Sequence, residues 1–323
     1  MAKQSKLSPS GRRPARAGRN SSVSEKAALA MRQRLMTKRV FLIGGAFFVS
    51  LAVILTSIFL FYKVYASPER VFWSMVNNNL ATDGITKESV TVGSGTTSDD
   101  ILQMGFSPEV KVRDVKIITS TTKHSQIQLE TIGTVSTDYE RYLNIKNPGS
   151  KATAAQYQTL YSMWLKSSDN QSSQPQAVNN ALFGALLFGN FDSAQRSKLL
   201  TSLKSSYIVD FADVARQNVN SRRLYTYDVL VPLNKYAMVA HDYALAKGLP
   251  VASQIDPAAY SDSTRLHVKI TVDVLSRQVV KIEYVDQGIN ESYSGYGIQP
   301  AFNAPLHTVS QAEFEKAVNA VTQ

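Results

Sequence analysis

Polar and apolar positions divide the chain into three stretches of different grain. Residues 1–39 are polar and basic, residues 40–62 read VFLIGGAFFVSLAVILTSIFLFY without a charge, and beyond Ser67 apolar positions recur at helical or strand spacing. A helix over the uncharged stretch, at about 1.5 Å per residue, reaches roughly 34 Å and covers a hydrocarbon core of about 30 Å. A membrane span is therefore predicted from Val40 to Tyr62.

After the span, Pro68 opens a helix in which Val71/Met75 and Phe72/Val76/Leu80 fall four apart. Strands are predicted at Ile85–Val92, Val110–Ile118, Gln126–Val135 and Tyr139–Ile145, where Val, Ile, Thr and Tyr concentrate. In the third of these, Ile127 and Leu129 alternate with Gln126, Gln128 and Glu130, so one face is expected dry and the other wet. A helical insertion occupies residues 153–204. It opens on the capping box Thr153-x-x-Gln156, carries the stripe Tyr157, Leu160, Tyr161, Trp164 and Leu165, and contains the apolar run Ala181–Phe188, read as a buried helix. A polar linker, Ser167 to Gln174, lies inside it.

The last third returns to strands. Tyr225, Tyr227, Val229 and Val231 alternate, and so do Leu266, Val268, Ile270, Val272 and Val274. A helix from Leu233 stops at Gly248 with Pro250 beyond, and Ser310-x-x-Glu313 caps a final one. Strands and helices come in separate runs, which predicts an α+β class: one transmembrane helix, then an antiparallel, curved, half-barrel-like sheet packed on helices. The domains read as a basic tail (1–39), disordered at least to Ser24, a span (40–62) and a large domain (67–323).

Charge changes this picture once it is located. The net charge is +10, and the tail alone holds eleven Lys/Arg against Glu25, which leaves 24 basic and 24 acidic residues from Val40 onward. Positive charge crowded before the span places the tail in the cytoplasm and the large domain on the extracytoplasmic side. Residues Ser24–Arg39, with Ala28, Met31, Leu35 and Met36 among cations, suit an amphipathic helix on anionic headgroups; no aromatic interleaving points to specific nucleic-acid binding. Cleavage after Ala66 is the competing fate of the span, which is longer than a signal segment requires. The chain has no cysteine, so lipoprotein processing at a cysteine, disulfides and thiolate chemistry are absent.

The sequence presents no catalytic or metal-binding arrangement. His124, His241, His267 and His307 are scattered, Gly93-Ser-Gly95 reads as a turn, and Asp99-Asp100 reads as a solvated pair in a Gly/Ser/Thr loop. No cofactor is implied. The chemistry on offer is apolar: Leu266, Val268, Ile270, Val272, Tyr225, Tyr227, Ile127, Leu129, Trp164 and Phe183 would form either the core or the lining of an apolar cavity.

The order helix, strands, helical insertion, Tyr225-x-Tyr227-x-Val229, amphipathic helix, then Leu266–Val274 turning at Ser276-Arg277-Gln278 into Val280-x-Ile282 resembles the bacterial LolA/LppX-like lipoprotein-carrier superfamily over roughly Pro68 to Pro305. The resemblance implies a half-open sheet wrapped on helices with acyl chains held between, and hence a non-catalytic lipid- or lipoprotein-binding domain of the bacterial cell envelope. The membrane anchor and the insertion depart from that pattern, and an anchored carrier cannot shuttle. The alternative is an interaction scaffold similar to VirB-type subunits of secretion assemblies, with envelope proteins as partners. A filled core and self-association favour the scaffold, and a retained apolar ligand favours the carrier.

Overall fold

The computed structural model describes residues 31–32, 47–167 and 175–322. The tail with its amphipathic helix (apart from Met31 and Arg32, which are helical), residues 40–46 of the span and residues 168–174 of the polar linker lie outside the described residues. The chain divides into two units, Met1–Lys63 and Val64–Gln323.

Helix α1, Phe47–Tyr65, is long and apolar enough to cross a membrane, and its last residues, Phe61–Tyr65, wind as a π-helix. Phe47, Phe48, Val53, Leu55 and Phe59 are all more than half exposed.

Val64–Gln323 is α+β, and its strands form one antiparallel sheet of twelve. They are β1 (Gly84–Gly93), β2 (Thr96–Gly105), β3 (Lys111–Ser120), β4 (Ser125–Thr134), β5 (Asp138–Lys146), β6 (Leu165–Lys166), β7 (Ile208–Val209), β8 (Ala215–Val219), β9 (Arg222–Pro232), β10 (Arg265–Asp273), β11 (Gln278–Tyr284) and β12 (Ile289–Ser294). The order is β6-β5-β4-β3-β2-β1-β12-β11-β10-β9-β7, with β8 also on β9. The sheet is open, since no pairing joins β6 to β7 among the described residues. The β8–β9 hairpin turns on Asn220 and Ser221, both at positive φ, as a two-residue turn matched to strand twist requires.

Helix α2 (Pro68–Asn79) packs on β10 and β11, and α6 (Leu233–Ala246) packs on β9 and on α5 (Ser193–Ser206). Helix α4 (Ala177–Leu182) lies on β3 and β4. Helices α3 (Ala154–Tyr161) and α7 (Gln311–Thr322) enclose a second, small cluster of Ile145, Leu160, Phe314 and Val321. The predicted cap of α3 is in place, since Thr153 Oγ1 accepts from Gln156 N while Gln156 Oε1 accepts from Thr153 N, and α5 is capped in the same way by Asp192, whose Oδ1 accepts from the N–H groups of Ala194 and Gln195.

Four sequence readings are corrected. Asp99 and Asp100 lie on β2, not in a loop. The stripe through Trp164 and Leu165 breaks at Tyr161, where α3 ends, and Leu165 enters β6. In β4 the polar position Glu130 is 2% exposed while Ile127 and Leu129 are only half-buried. Glu130 is held by Arg113 at 2.5 Å and Arg141 at 2.6 Å, so two guanidinium groups replace the water it loses. Finally, the run Ala181–Phe188 is buried but not helical past Leu182.

That run is the chain's own plug. Ala185, Leu186, Leu187 and Phe188 are 1–3% exposed inside the main cluster. Irregular backbone in a core has no ladder to satisfy it, so side chains must supply hydrogen bonds. Tyrosines do so here. Tyr236 donates to the Gly184 carbonyl, Tyr207 to Ala185 O at 2.8 Å and Tyr243 to Phe188 O at 2.6 Å, while the Ala185 N–H donates to the Tyr284 hydroxyl at 3.1 Å. Burial pushes the Tyr207, Tyr236 and Tyr243 hydroxyls far above the ordinary tyrosine range, so they remain donors.

Candidate functional site

Past Leu182 the plug meets β11 and β12, where Ala185 N donates to the Tyr284 hydroxyl and Phe188 stacks on Tyr293. Over β1–β5 the sheet carries a cleft of about 440 Å³, bounded by α4 and β6. Strand register builds its floor. Side chains paired across neighbouring strands share a face, and two such rungs run side by side: Lys87–Leu102–Asp114–Thr131–Glu140–Leu165 and Ser89–Asp100–Lys116–Leu129. All ten residues line the cleft.

Its wall is set by a glycine and an aspartate. A Cβ at Gly133 would meet Ala177 Cβ at 2.6 Å and Val112 Cγ2 at 2.8 Å, so only glycine lets α4 lie this close to the sheet. Asp138 Oδ2 accepts from Gln176 N at 2.6 Å and Ala177 N at 3.0 Å, fixing the start of α4.

The cleft mixes leucine and alanine with charge, and the charge is only partly paired. Lys87 reaches Glu291 at 2.9 Å and Lys116 reaches Asp100 at 3.7 Å. No salt bridge reaches Asp114 or Glu140 among the described residues, and Asp114 Oδ1 is buried without a hydrogen-bond partner. Burial, reinforced by Asp100 and opposed by Lys116 and Lys87, pushes the Asp114 carboxyl up to about 6. Burial and neighbouring Asp138 raise Glu140 as well. The carboxylates do not converge on one point: among the described residues no group of three or more His, Cys, Asp or Glu is placed to hold a metal ion.

A raised carboxyl means the folded chain binds that proton more tightly than the unfolded one, so stability rises as pH falls from above 6 towards 3.8. Asp114→Asn removes this dependence. It is expected to stabilise the domain by on the order of 1–2 kcal/mol at pH 8, with the advantage gone near pH 4. Urea denaturation at the two pH values checks it.

The candidate residues from sequence fall in different places. Val268, Ile270, Val272, Tyr225 and Tyr227 are 0–1% exposed in the main cluster, and Leu266 packs against its margin. Tyr225 and Tyr227 donate to the carbonyls of Ala66 and Pro68. Phe183 packs edge-on against Tyr243, and Trp164 lies under the Arg141 guanidinium at 4.5 Å. Of the ten, Leu129 lines the cleft; Ile127 is the next position along β4 on the same face. Sequence reading missed Asp114, Glu140, Lys87 and Lys116, because each strand contributes one or two charged residues and only register assembles them.

A second cleft of about 770 Å³, between the β2–β3 and β4–β5 loops and the end of α6, contains Lys247. Its ammonium lies 4.1 Å over the Phe191 ring, and burial lowers its pKa to about 8.

No protein-family model matches the chain, and no curated protein matches its sequence. Among solved structures it is similar to LprF from Mycobacterium bovis, at 10% identity and a TM-score of 0.37, over 74% of this chain and 96% of that one. This is a distant likeness, too weak to transfer a ligand or a residue's role.

Proposed function

We propose that the chain is a membrane-anchored, non-catalytic binding protein whose extracytoplasmic domain takes an amphiphilic ligand in the cleft over β1–β5. The observation that supports this reading is the composition of the two rungs. Leu102, Leu129 and Leu165, with Ala177, offer an apolar track, and Asp114 and Glu140 add half-buried carboxylates without a salt bridge among the described residues. An acyl chain lies along the track, and a cationic or hydrogen-bond-donating head meets the carboxylates. Of the apolar residues singled out in the sequence, Leu129 belongs to this site and the β9–β10 set supports it as core. The exposed apolar helix α1 is the anchor, and the arginine-rich segment before it faces the cytoplasm.

A direct test uses residues 64–323, which contain both hydrophobic clusters. A fluorescent long-chain alkylamine is titrated at pH 8, with the matching alkyl sulfate as control. The amine is expected to bind near one per chain, more tightly than the sulfate, and more weakly as pH falls through about 6 and Asp114 loses its charge. Thr131→Trp, in the middle of the floor, is expected to abolish binding with an unchanged melting temperature. Absence of binding by either probe sinks the reading.

The scaffold alternative draws support from a different observation: the main core is filled by the chain's own residues 183–188. It predicts self-association of the same domain at micromolar concentration without ligand, read by analytical ultracentrifugation.

A further inference from the structure

Tyr65 is the last residue of α1, so side chains packed on Tyr65 and Ala66 sit where the apolar helix ends. Segments remote in sequence meet there. The β10–β11 turn brings Arg277, 7% exposed and at a φ of 56°, whose Nη2 donates to the Tyr65 carbonyl and whose guanidinium lies 4.3 Å over the Tyr65 ring. A buried arginine in the left-handed region is held only where its surroundings over-determine it. Strand β9 brings Tyr225, whose hydroxyl donates to Ala66 O at 2.9 Å, and Arg216 and Arg223 lie over the Tyr225 ring at 5.6 and 5.4 Å.

Asp273 ties the two turns together. Its Oδ1 accepts from Leu275 N at 2.9 Å and Ser276 N at 3.0 Å, and its Oδ2 accepts from Arg222 Nε at 2.7 Å. Burial pushes this carboxyl up, but those hydrogen bonds and the Arg222 charge outweigh it and hold the group below its ordinary value, so the tie persists at neutral pH.

Residues 64–70, 215–223 and 273–277 together carry five arginines and two acids, whereas the chain beyond Val40 is balanced. Val219 and Leu275, at the tips of the two turns, are 45% and 60% exposed. Guanidinium groups bind phosphate through paired N–H donors, and exposed aliphatic side chains beside them suit the headgroup–acyl boundary.

We infer that this end of the domain is a docking face for anionic phospholipid headgroups of the membrane that anchors the chain. Arg216, Arg222 and Arg223 meet phosphate, and Val219 and Leu275 enter the boundary. The inference rests on the reading of α1 as a membrane anchor, and it is independent of the cleft. Charge complementarity selects lipid, because each basic residue near an anionic surface adds to the attraction while the exposed tips are apolar.

The full chain, reconstituted into nanodiscs of phosphatidylcholine with or without phosphatidylglycerol, tests it by amide hydrogen exchange at residues 217–223 and 273–278. Exchange in both turns is expected to be roughly tenfold slower with the anionic lipid. The double variant Arg216→Glu, Arg223→Glu is expected to erase the difference while β10 stays protected, which shows that the domain is folded. Equal exchange in both lipids, in a chain that resists alkaline carbonate extraction, overturns the docking face and leaves the anchor. A chain released by carbonate overturns the anchor, and the docking face with it.

Discussion

Ile270→Asp is expected to unfold the domain outright, whereas Leu129→Asp is expected to leave it folded and empty its cleft. Ile270 is 0% exposed on β10, flanked by β9 and β11, with Tyr227 and Ile282 opposite it. A carboxylate there has no cation and no water, and the penalty exceeds about 4 kcal/mol, a large share of the about 5–15 kcal/mol that holds a domain together. Leu129 is half-buried at the cleft floor, beside Lys116 in the register. An aspartate there keeps contact with water and gains a neighbouring ammonium, so the expected cost is about 1 kcal/mol. Circular dichroism with urea denaturation of the two variants gives the answer. A folded Ile270→Asp with near-normal stability would mean that β10 faces a space a ligand can enter, and the binding site would move from β1–β5 to β9–β12.

The contrast explains what the sequence could and could not disclose. Strands β9 and β10 were legible because Tyr225, Tyr227, Val229 and Val231 on one and Val268, Ile270 and Val272 on the other keep one face dry, and α6 because Gly248 and Pro250 mark its stop. Strand β2 was hidden for a physical reason. Its cleft-side face runs Ser98, Asp100, Leu102, Met104, changing from polar to apolar as it passes from open cleft to packed core, so no alternation survives. Strand β8 is exposed throughout and pairs only with β9, which leaves it no hydrophobic pattern to show. Glu130 reads as solvated because the guanidinium groups that bury it arrive from Arg113 on β3 and Arg141 on β5. The cleft was illegible as a site because its rungs are a property of pairing between strands, while the periodicity argument works along one strand at a time.

The plug illustrates the same limit and sets the second large effect. Eight residues in a mainly apolar run cannot be told from a buried helix by spacing alone, and the non-helical backbone of Gly184–Phe188 is hydrogen-bonded by hydroxyls supplied from residues 207, 236, 243 and 284. Tyr207→Phe with Tyr243→Phe removes the donors to Ala185 O and Phe188 O without altering ring packing. Each change leaves a buried carbonyl unpaired at about 1–3 kcal/mol, so the pair is expected to cost roughly 3 kcal/mol in urea denaturation. Amide exchange at residues 184–189 should accelerate before that of β10. The loosening should also reach the cleft, because Tyr284, which accepts from Ala185 N, donates to Glu291, and Glu291 holds Lys87 of the floor. If the double variant instead loses stability with uniform exchange, apolar packing of Leu186 and Leu187 holds the plug and the hydroxyls merely satisfy it. If exchange at 184–189 rises alone, the tyrosines are the latch, and a domain whose latch is released should take up the alkylamine over β9–β12 as well as over β1–β5.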